Sequence, residues 1–526
     1  MAKPLPPHRR GCRPEDHPKI GRRELLQIGG ISLLGAGLGD LARLEASQQN
    51  RLGTANGPAK NVIFIFQSGG PSQHETFDPK PEASEKVRGE YGTIQTSNPD
   101  LTVCEHMPKL AQRAHMYSIV RSMYHPADRR FRNEHSASMY MVNAGMNYLP
   151  PGETTGTIGV QKARNLEWPS IGSMVAYAAP PLPGMGLPPV IQVPRTRINA
   201  GEFYVPGTAP GMLGPKYAHW RVNLARPCRA PDPAGSCPNC FSHDQPDDAD
   251  RQPGKLPHSW YDNSSCRNPD FTLPDLGNGT EIAIERIEHR GRLLAQLEDM
   301  RRDLDAHRVV ENYDAYQKQA LMMILSQRGK NNPFDLTQES DGMRDQYGRE
   351  EWGQSFLVAR RLLEAGVRMV QVNLRGWDTH QNAFRDLKGK LLPSIDHCLS
   401  GFLDDMHERG LLSETLIVMC GEMGRTPIIS PIAVGGINAA GVPFTDGRHH
   451  WGDVFPCFFA GAGIVPGRVI GKTDPQGGAP ISDGHTPADM AATIFSQLGI
   501  DSDAEFHDAE GRPFRIFQGH PIASLT

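Results

Sequence analysis

Three short polar segments contain side chains that bind metal ions or anions. They supply carboxylates, imidazoles and one guanidinium: Asp378 with His380, Glu422 with Arg425, and His449 with His450. Carboxylate and imidazole ligands from separate loops suit a divalent ion such as Zn²⁺ or Mn²⁺. A guanidinium binds anionic oxygens in bidentate fashion. The pattern predicts a site for one divalent metal ion, Zn, Mn, Ca or Mg, ligated by Asp378, His380, Glu422, His449 and His450.

Each segment also has a structural interpretation. A single Asp-x-His pattern occurs in ordinary polar loops, and Glu422 with Arg425 would form an ion pair that holds a loop. Position favours the functional interpretation, because residues 378–380 and 422–425 both follow apolar strands directly. Ligands of α/β proteins bind at the carboxyl ends of such strands.

The N-terminal half offers further candidates. Ser68, His74 and Asp78 lie at or just after the first predicted strand, although Asp78-Pro79 is equally a turn signal. His135 opens a predicted helix, whose positive end favours anions, although a single histidine there is more often structural.

The elements that must position these residues are helix-strand units. The run Asn61 to Phe66 is apolar and β-branched, which predicts a central parallel strand. Helices over 359–365 and 391–409 are predicted to lead into strands over 367–374 and 415–420. We therefore predict an α/β fold with a doubly wound, mostly parallel sheet and helices on both faces.

The N-terminus has the layout of an export signal. Arg22-Arg23 precedes a weakly apolar, glycine-rich run from Ile28 to Leu44, which predicts a twin-arginine signal over residues 1–46 and a periplasmic or extracellular protein. Asp40 and Arg43 interrupt that run, so no transmembrane anchor is expected. An amphipathic first helix is the alternative. A linker over 47–59 and one domain over 60–526 follow.

A Cys-, Pro- and Gly-rich insertion is predicted at about 199–277, before charged helices over 281–327. Its cysteines form either two disulfides or a structural zinc site: Cys228, Cys237, Cys240 and Cys266.

Cys398, Cys420 and Cys457 lie singly in apolar runs, which predicts buried free thiols.

Composition excludes one class of partner. The net charge of the 526-residue chain is −4 and 38% of its residues are hydrophobic. A large core is therefore available, and no overall basic charge exists to attract nucleic acid.

Several motifs in the right order resemble the DUF1501 family of exported proteins with an alkaline-phosphatase-like fold. They are Gly69 to Gln73 with Thr76 to Pro81, the box Gly376 to His380, and the box Gly421 to Pro427. Residues 135–145 and 486–500 are also similar to sulfatase segments. The resemblance implies an alkaline phosphatase/sulfatase-like architecture and places His135 at the nucleophile position. Glu422-Met423 stands where those hydrolases have Asp-His, and Gln67-Ser68 stands where they have an Asp.

Two hypotheses follow. The first is a metal-dependent hydrolase of sulfate or phosphate esters, with a small molecule or polysaccharide as substrate. Its catalytic residues would be His135, as nucleophile or acid/base, and Arg425, which would stabilise developing charge. The second is a non-catalytic glycan- or protein-binding protein that keeps the hydrolase fold.

Overall fold

The computed structural model describes residues 57–150, 167–179, 187–194, 205–224, 271–272, 332–380, 383–430, 446–508 and 510–526. Its main element is an eight-stranded sheet. The strands are β1 (Asn61–Ser68), β2 (Tyr117–Met123), β3 (Val190–Val193), β4 (Trp220–Arg221), β5 (Met369–Arg375), β6 (Thr415–Gly421), β7 (Phe455–Gly461) and β8 (Val469–Ile470). Their spatial order in the sheet is β8-β2-β7-β6-β1-β5-β3-β4.

The described α-helices are α1 (Glu85–Arg88), α2 (Pro108–Gln112), α3 (Arg129–Arg132), α4 (His135–Ala144), α5 (Ile171–Ala178), α6 (Asp341–Tyr347), α7 (Glu351–Glu364), α8 (Ala383–Asp386), α9 (Leu392–Glu408) and α10 (Pro487–Gln497). A π-helical turn, Leu387–Leu391, joins α8 to α9. Among the described residues, five strand pairs lie outside the main sheet: Thr93–Gln95 with Thr102–Cys104, Asn223–Leu224 with Phe271–Thr272, Gly424–Arg425 with His450–Trp451, Lys472–Thr473 with Pro480–Ser482, and Glu505–His507 with Pro513–Arg515.

The sheet is mostly parallel, as predicted. Strand β1 pairs in parallel with β6 on one side and with β5 on the other. Strand β7 is the exception, since it is antiparallel to both of its neighbours, β6 and β2. This reversal places the start of β7 at the edge where β1, β5 and β6 end.

Helices cover both faces of the sheet, which confirms the predicted α/β fold class. Side chains along β1 alternate between two cores: Ile63 and Ile65 join one apolar cluster, and Val62 and Phe64 join the other. The first cluster contains residues of α7 and α9, and the second contains residues of α5 and α10. Because β1 is buried on both faces, its sequence reads as a continuous apolar run.

The predicted helix-strand units are present, α7 before β5 and α9 before β6. The helix predicted over 359–365 is longer than expected, because α7 begins at Glu351. The other ends shift by at most two residues. Cys398, Cys420 and Cys457 are buried and unpaired, as predicted. Several predictions lie outside the described residues: the signal at 1–46, the linker to residue 56, the cysteines of the 199–277 insertion and the helices over 281–327. No described helix is long and apolar enough to cross a membrane.

Candidate metal centre

Four side chains converge at one edge of the sheet. They are His135, Asp378, His380 and His450, whose ligand atoms all lie within 4.8 Å of one another. Asp378 lies at the centre of the group. Its Oδ2 is 3.2 Å from Nε2 of His135, and its Oδ1 is 3.1 Å from Nε2 of His380 and 3.4 Å from Nε2 of His450. Three imidazoles and one carboxylate form a donor set for a divalent ion.

The chain direction explains this convergence. Asp378 and His380 follow the carboxyl end of β5, and His135 begins α4. His450 precedes the antiparallel strand β7 and therefore reaches the same edge from the opposite direction. Its position is fixed by a short antiparallel pairing in which His450 lies opposite Arg425.

Hydrogen bonds outside the cluster orient two of the imidazoles. Nδ1 of His450 donates to the backbone oxygen of Asn133 at 3.0 Å. Nδ1 of His135 lies 2.7 Å from Oε1 of Glu422 and donates to that carboxylate. These bonds leave each Nε2 facing the cluster, where it can ligate a metal ion once its own proton is lost.

Glu422, a predicted ligand, lies behind His135 and is not a member of the four-residue group. Its carboxylate is fully buried and accepts the N–H of Gly69 through both oxygens, at 2.9 and 3.1 Å. Gly69 can donate in this way because it adopts a φ of +116°, which an L-residue rarely adopts. Glu422 and His135 thus form a carboxylate-histidine pair, in which Glu422 orients the imidazole of His135 without itself facing the cluster.

Arg425, a predicted catalytic residue, also lies behind the cluster. Its guanidinium is fully buried and lies 2.5 Å from Oδ1 of Asp378. The remaining N–H groups donate to backbone oxygens of Gly69, Gly70, Trp377 and Arg448. Arg425 therefore joins the loops that follow β1, β5 and β6 to the loop that carries His450.

Electrostatics keep Asp378 ionised. Burial opposes its charge, but Arg425 and hydrogen bonds from the three imidazoles hold the pKa of Asp378 far below its ordinary value. Burial likewise opposes protonation of His135, but hydrogen bonds to Asp378 and Glu422 raise its pKa to about 10. In the metal-free protein His135 is therefore cationic at neutral pH, and a metal ion must displace its proton.

The remaining predicted site residues are separate from the four-residue group. His449 is exposed, and its Nδ1 lies 3.2 Å from Nδ1 of His380. Ser68 is buried at the end of β1. His74 contacts the backbone oxygen of Gln476. Asp78 binds other partners: Lys80 at 2.9 Å, Arg121 at 3.5 Å and Thr473 at 2.5 Å.

Two residues that support the site, Asn133 and Arg448, were not predicted from the sequence to do so. Asn133 orients His450 through its backbone oxygen, and its side chain accepts the N–H of Gly452 at 2.6 Å. Arg448, next to the two histidines, forms a buried ion pair with Glu75 at 2.6 Å, which anchors their loop. The role of Arg448 could have been predicted from its position next to His449, because a charged residue beside metal ligands often fixes their loop.

Fold and site together define an α/β protein with a candidate divalent-metal centre at the carboxyl edge of its sheet. Residues 59–526 match the family model described as "Protein of unknown function (DUF1501)". The chain belongs to this family, as its motifs predicted.

Comparison with curated proteins found no significant match. Among solved structures, the chain is similar to the sulfatase PsFucS1 from Pseudoalteromonas sp., at 14% identity and a TM-score of 0.32, covering 91% of this chain and 72% of that one. It is also similar to the phosphonate monoester hydrolase SpPMH from Silicibacter pomeroyi, at 11% identity and a TM-score of 0.30, covering 88% and 76%. Alkaline phosphatase from the Antarctic bacterium TAB5 shows 9% identity and a TM-score of 0.28, covering 84% and 97%. The activities named there are those of the other proteins.

Proposed function

We propose that this protein is an exported, metal-dependent hydrolase of sulfate or phosphate esters. One observation carries the proposal: His135, Asp378, His380 and His450 place four potential ligand atoms within 4.8 Å of one another. Two of these imidazoles are held from outside with Nε2 directed inward. Such outer partners are typical of histidines that ligate a metal ion.

The donor set fits a divalent ion. Asp378 supplies one charge and stays ionised beside the fully buried Arg425, while three imidazoles supply neutral nitrogen donors. A divalent ion held there would polarise an ester oxygen as a Lewis acid. The resemblance placed the nucleophile at His135, but the geometry favours His135 as a ligand.

His449 is the best placed acid/base residue. It is exposed beside His380, with its Nδ1 3.2 Å from Nδ1 of that residue. Burial, then the neighbouring His380 and Arg425, lower the pKa of His449, so its imidazole is neutral at pH 7. A neutral imidazole accepts a proton from an attacking water and can return it to a leaving group.

Elemental analysis tests the metal centre first. We would compare exported wild-type protein with Asp378→Ala and His450→Ala, and use Asp396→Asn as a matched control. Asp396 is also a buried carboxylate, but it accepts N–H groups of Lys109 and Leu110 and does not belong to the four-residue group. Near-stoichiometric metal in the wild type and control, lost from both site variants, is the expected result.

Turnover is tested next, with the metal-replete protein and a panel of aryl sulfates, aryl phosphates and sulfated polysaccharides. We expect metal-dependent hydrolysis of at least one ester, abolished in Asp378→Ala. A wild-type protein that neither contains nor takes up divalent ions would refute the metal centre and, with it, the hydrolase.

Export is tested separately: replacing Arg22-Arg23 by Lys-Lys should retain the protein in the cytoplasm.

A non-catalytic glycan- or protein-binding role is the second candidate. It is favoured by one observation: His135, at the nucleophile position of the resemblance, has both ring nitrogens engaged, with Glu422 and Asp378. This candidate predicts capture of a sulfated glycan that survives chelation, without turnover of any ester. Metal-dependent turnover lost in Asp378→Ala would exclude it.

A further inference from the structure

Three sulfur atoms converge in the core, away from the histidine cluster. Cys420 on β6 and Cys457 on β7 both contact Met490 on α10, with Sγ–Sδ distances of 3.7 and 3.9 Å. All three side chains are at most 1% exposed. No disulfide joins the two thiols.

The fold fixes this arrangement, because the sulfurs come from three different elements. Strands β6 and β7 are antiparallel, and Met419 lies opposite Phe458. The next positions in that register are Cys420 and Cys457, so their side chains share one face of the sheet. Both cysteines and Met490 belong to the apolar cluster on that face, over which α10 packs.

Two thiols and one thioether are soft donors, which select Cu(I) among biological metals. An ion bound to three sulfurs in a plane, at a metal–sulfur distance of about 2.3 Å, separates those sulfurs by about 4.0 Å. The two cysteine–methionine sulfur distances, 3.7 and 3.9 Å, are close to this spacing. Zinc fits poorly, because structural zinc takes four ligands and thiolate, imidazole or carboxylate donors.

We propose that Cys420, Cys457 and Met490 form a buried three-coordinate site for Cu(I). Binding replaces the proton of one thiol by the ion, so that Cu⁺ and one Cys–SH give a neutral Cu–S–Cys unit and one H⁺. The second thiol and the thioether complete the coordination as neutral donors. A neutral complex is compatible with the apolar surroundings, where an uncompensated charge would be costly.

In the absence of the ion, burial raises the pKa of the Cys457 thiol well above its ordinary value. That thiol is then protonated, and a protonated thiol is unreactive towards oxidants.

The test is an anaerobic titration of the full-length, zinc-loaded protein with Cu(I), in competition with bicinchoninate. The wild type is compared with Cys420→Ala/Cys457→Ala, with Met490→Leu, and with Cys398→Ala as a buried-thiol control. We expect one fewer tightly bound Cu(I) per chain in the double variant, at least tenfold weaker binding at this site in Met490→Leu, and no change in Cys398→Ala. Met490→Leu conserves side-chain volume, which guards against misfolding of the double variant.

X-ray absorption of the copper-loaded wild type should show sulfur-only coordination at this site. Equal copper uptake by the wild type, the double variant and Met490→Leu would overturn the proposal. So would peptide mapping that finds a disulfide between Cys420 and Cys457 in the purified protein. Ester hydrolysis is measured separately, and its presence or absence does not affect either outcome.

Discussion

Replacement of Glu422 tests whether this residue orients His135 or ligates the metal itself. Oε1 of Glu422 accepts from both His135 and Gly69, at 2.7 and 2.9 Å. In Glu422→Gln the amide oxygen can take the Oε1 position and keep both bonds, so mainly the negative charge is lost. In Glu422→Ala both donors lose their acceptor, and His135 can rotate.

Loss of an outer partner of a metal ligand typically costs 10- to 100-fold in affinity. We expect about tenfold weaker metal binding in Glu422→Gln and about 100-fold in Glu422→Ala, equivalent to roughly 1.4 and 2.7 kcal/mol. The loss should be larger at pH 9 than at pH 7. Glu422 helps raise the pKa of His135 to about 10, so its removal also weakens proton competition, and that compensation is greatest at neutral pH.

The assay is chelator competition with zinc on the metal-free protein, at both pH values. Asp396→Asn serves as the control because Asp396 is a buried carboxylate that accepts backbone N–H groups elsewhere. Unchanged affinity in folded Glu422→Ala would refute the orienting role. Complete loss of stoichiometric binding in Glu422→Gln would show instead that Glu422 is a ligand.

Two further predictions concern stability, and a third concerns metal binding. Arg425→Lys should lower the free energy of unfolding by about 2–4 kcal/mol, because lysine cannot replace the bonds to several buried carbonyl groups, and urea denaturation measures this. Burial lowers the pKa of His125 to about 4 from an ordinary 6.5, so its contribution is complete above pH 6.5 and is lost as the pH falls towards 4. His125→Gln should therefore reduce the stability lost between pH 7.5 and 5.5 by about 1.4 kcal/mol, and an unaltered pH dependence would contradict this. Gly69→Ala should abolish metal binding, because its Cβ would lie 2.2 Å from the backbone nitrogen of Asp378. At Gly389 an added Cβ would meet no atom within 4 Å beyond its chain neighbours and its own helix backbone, so Gly389→Ala should leave melting and metal content unchanged.

Much of the fold could be predicted because its signals are local. The run at Asn61–Ser68 is apolar at successive positions since both faces of β1 are buried. The direction of β7 could not be predicted, because a strand buried on both faces has the same pattern in either direction.

The site was predictable only in part. Asp378 and His380 follow a strand, so their location at the sheet edge could be inferred from the chain. The role of Glu422 could not, because it depends on a bond to Gly69, 353 residues away in sequence. His74 and Asp78 also lie near the end of β1, but their side chains bind Gln476 and Thr473. Sequence position sets the edge of the sheet at which a residue lies, whereas tertiary contacts set the direction of its side chain.

The pairing of β1 also determines when the protein can mature during its synthesis. This strand is made early, yet its two neighbours lie in the segments Met369–Arg375 and Thr415–Gly421. At about 5–20 residues per second, the ribosome needs roughly 20–70 s to reach β6 after completing β1. Until β5 is made, β1, which has apolar side chains on both faces, has neither of its neighbouring strands. The histidine cluster spans His135 to His450, so it can be completed and acquire a metal ion only near the end of translation.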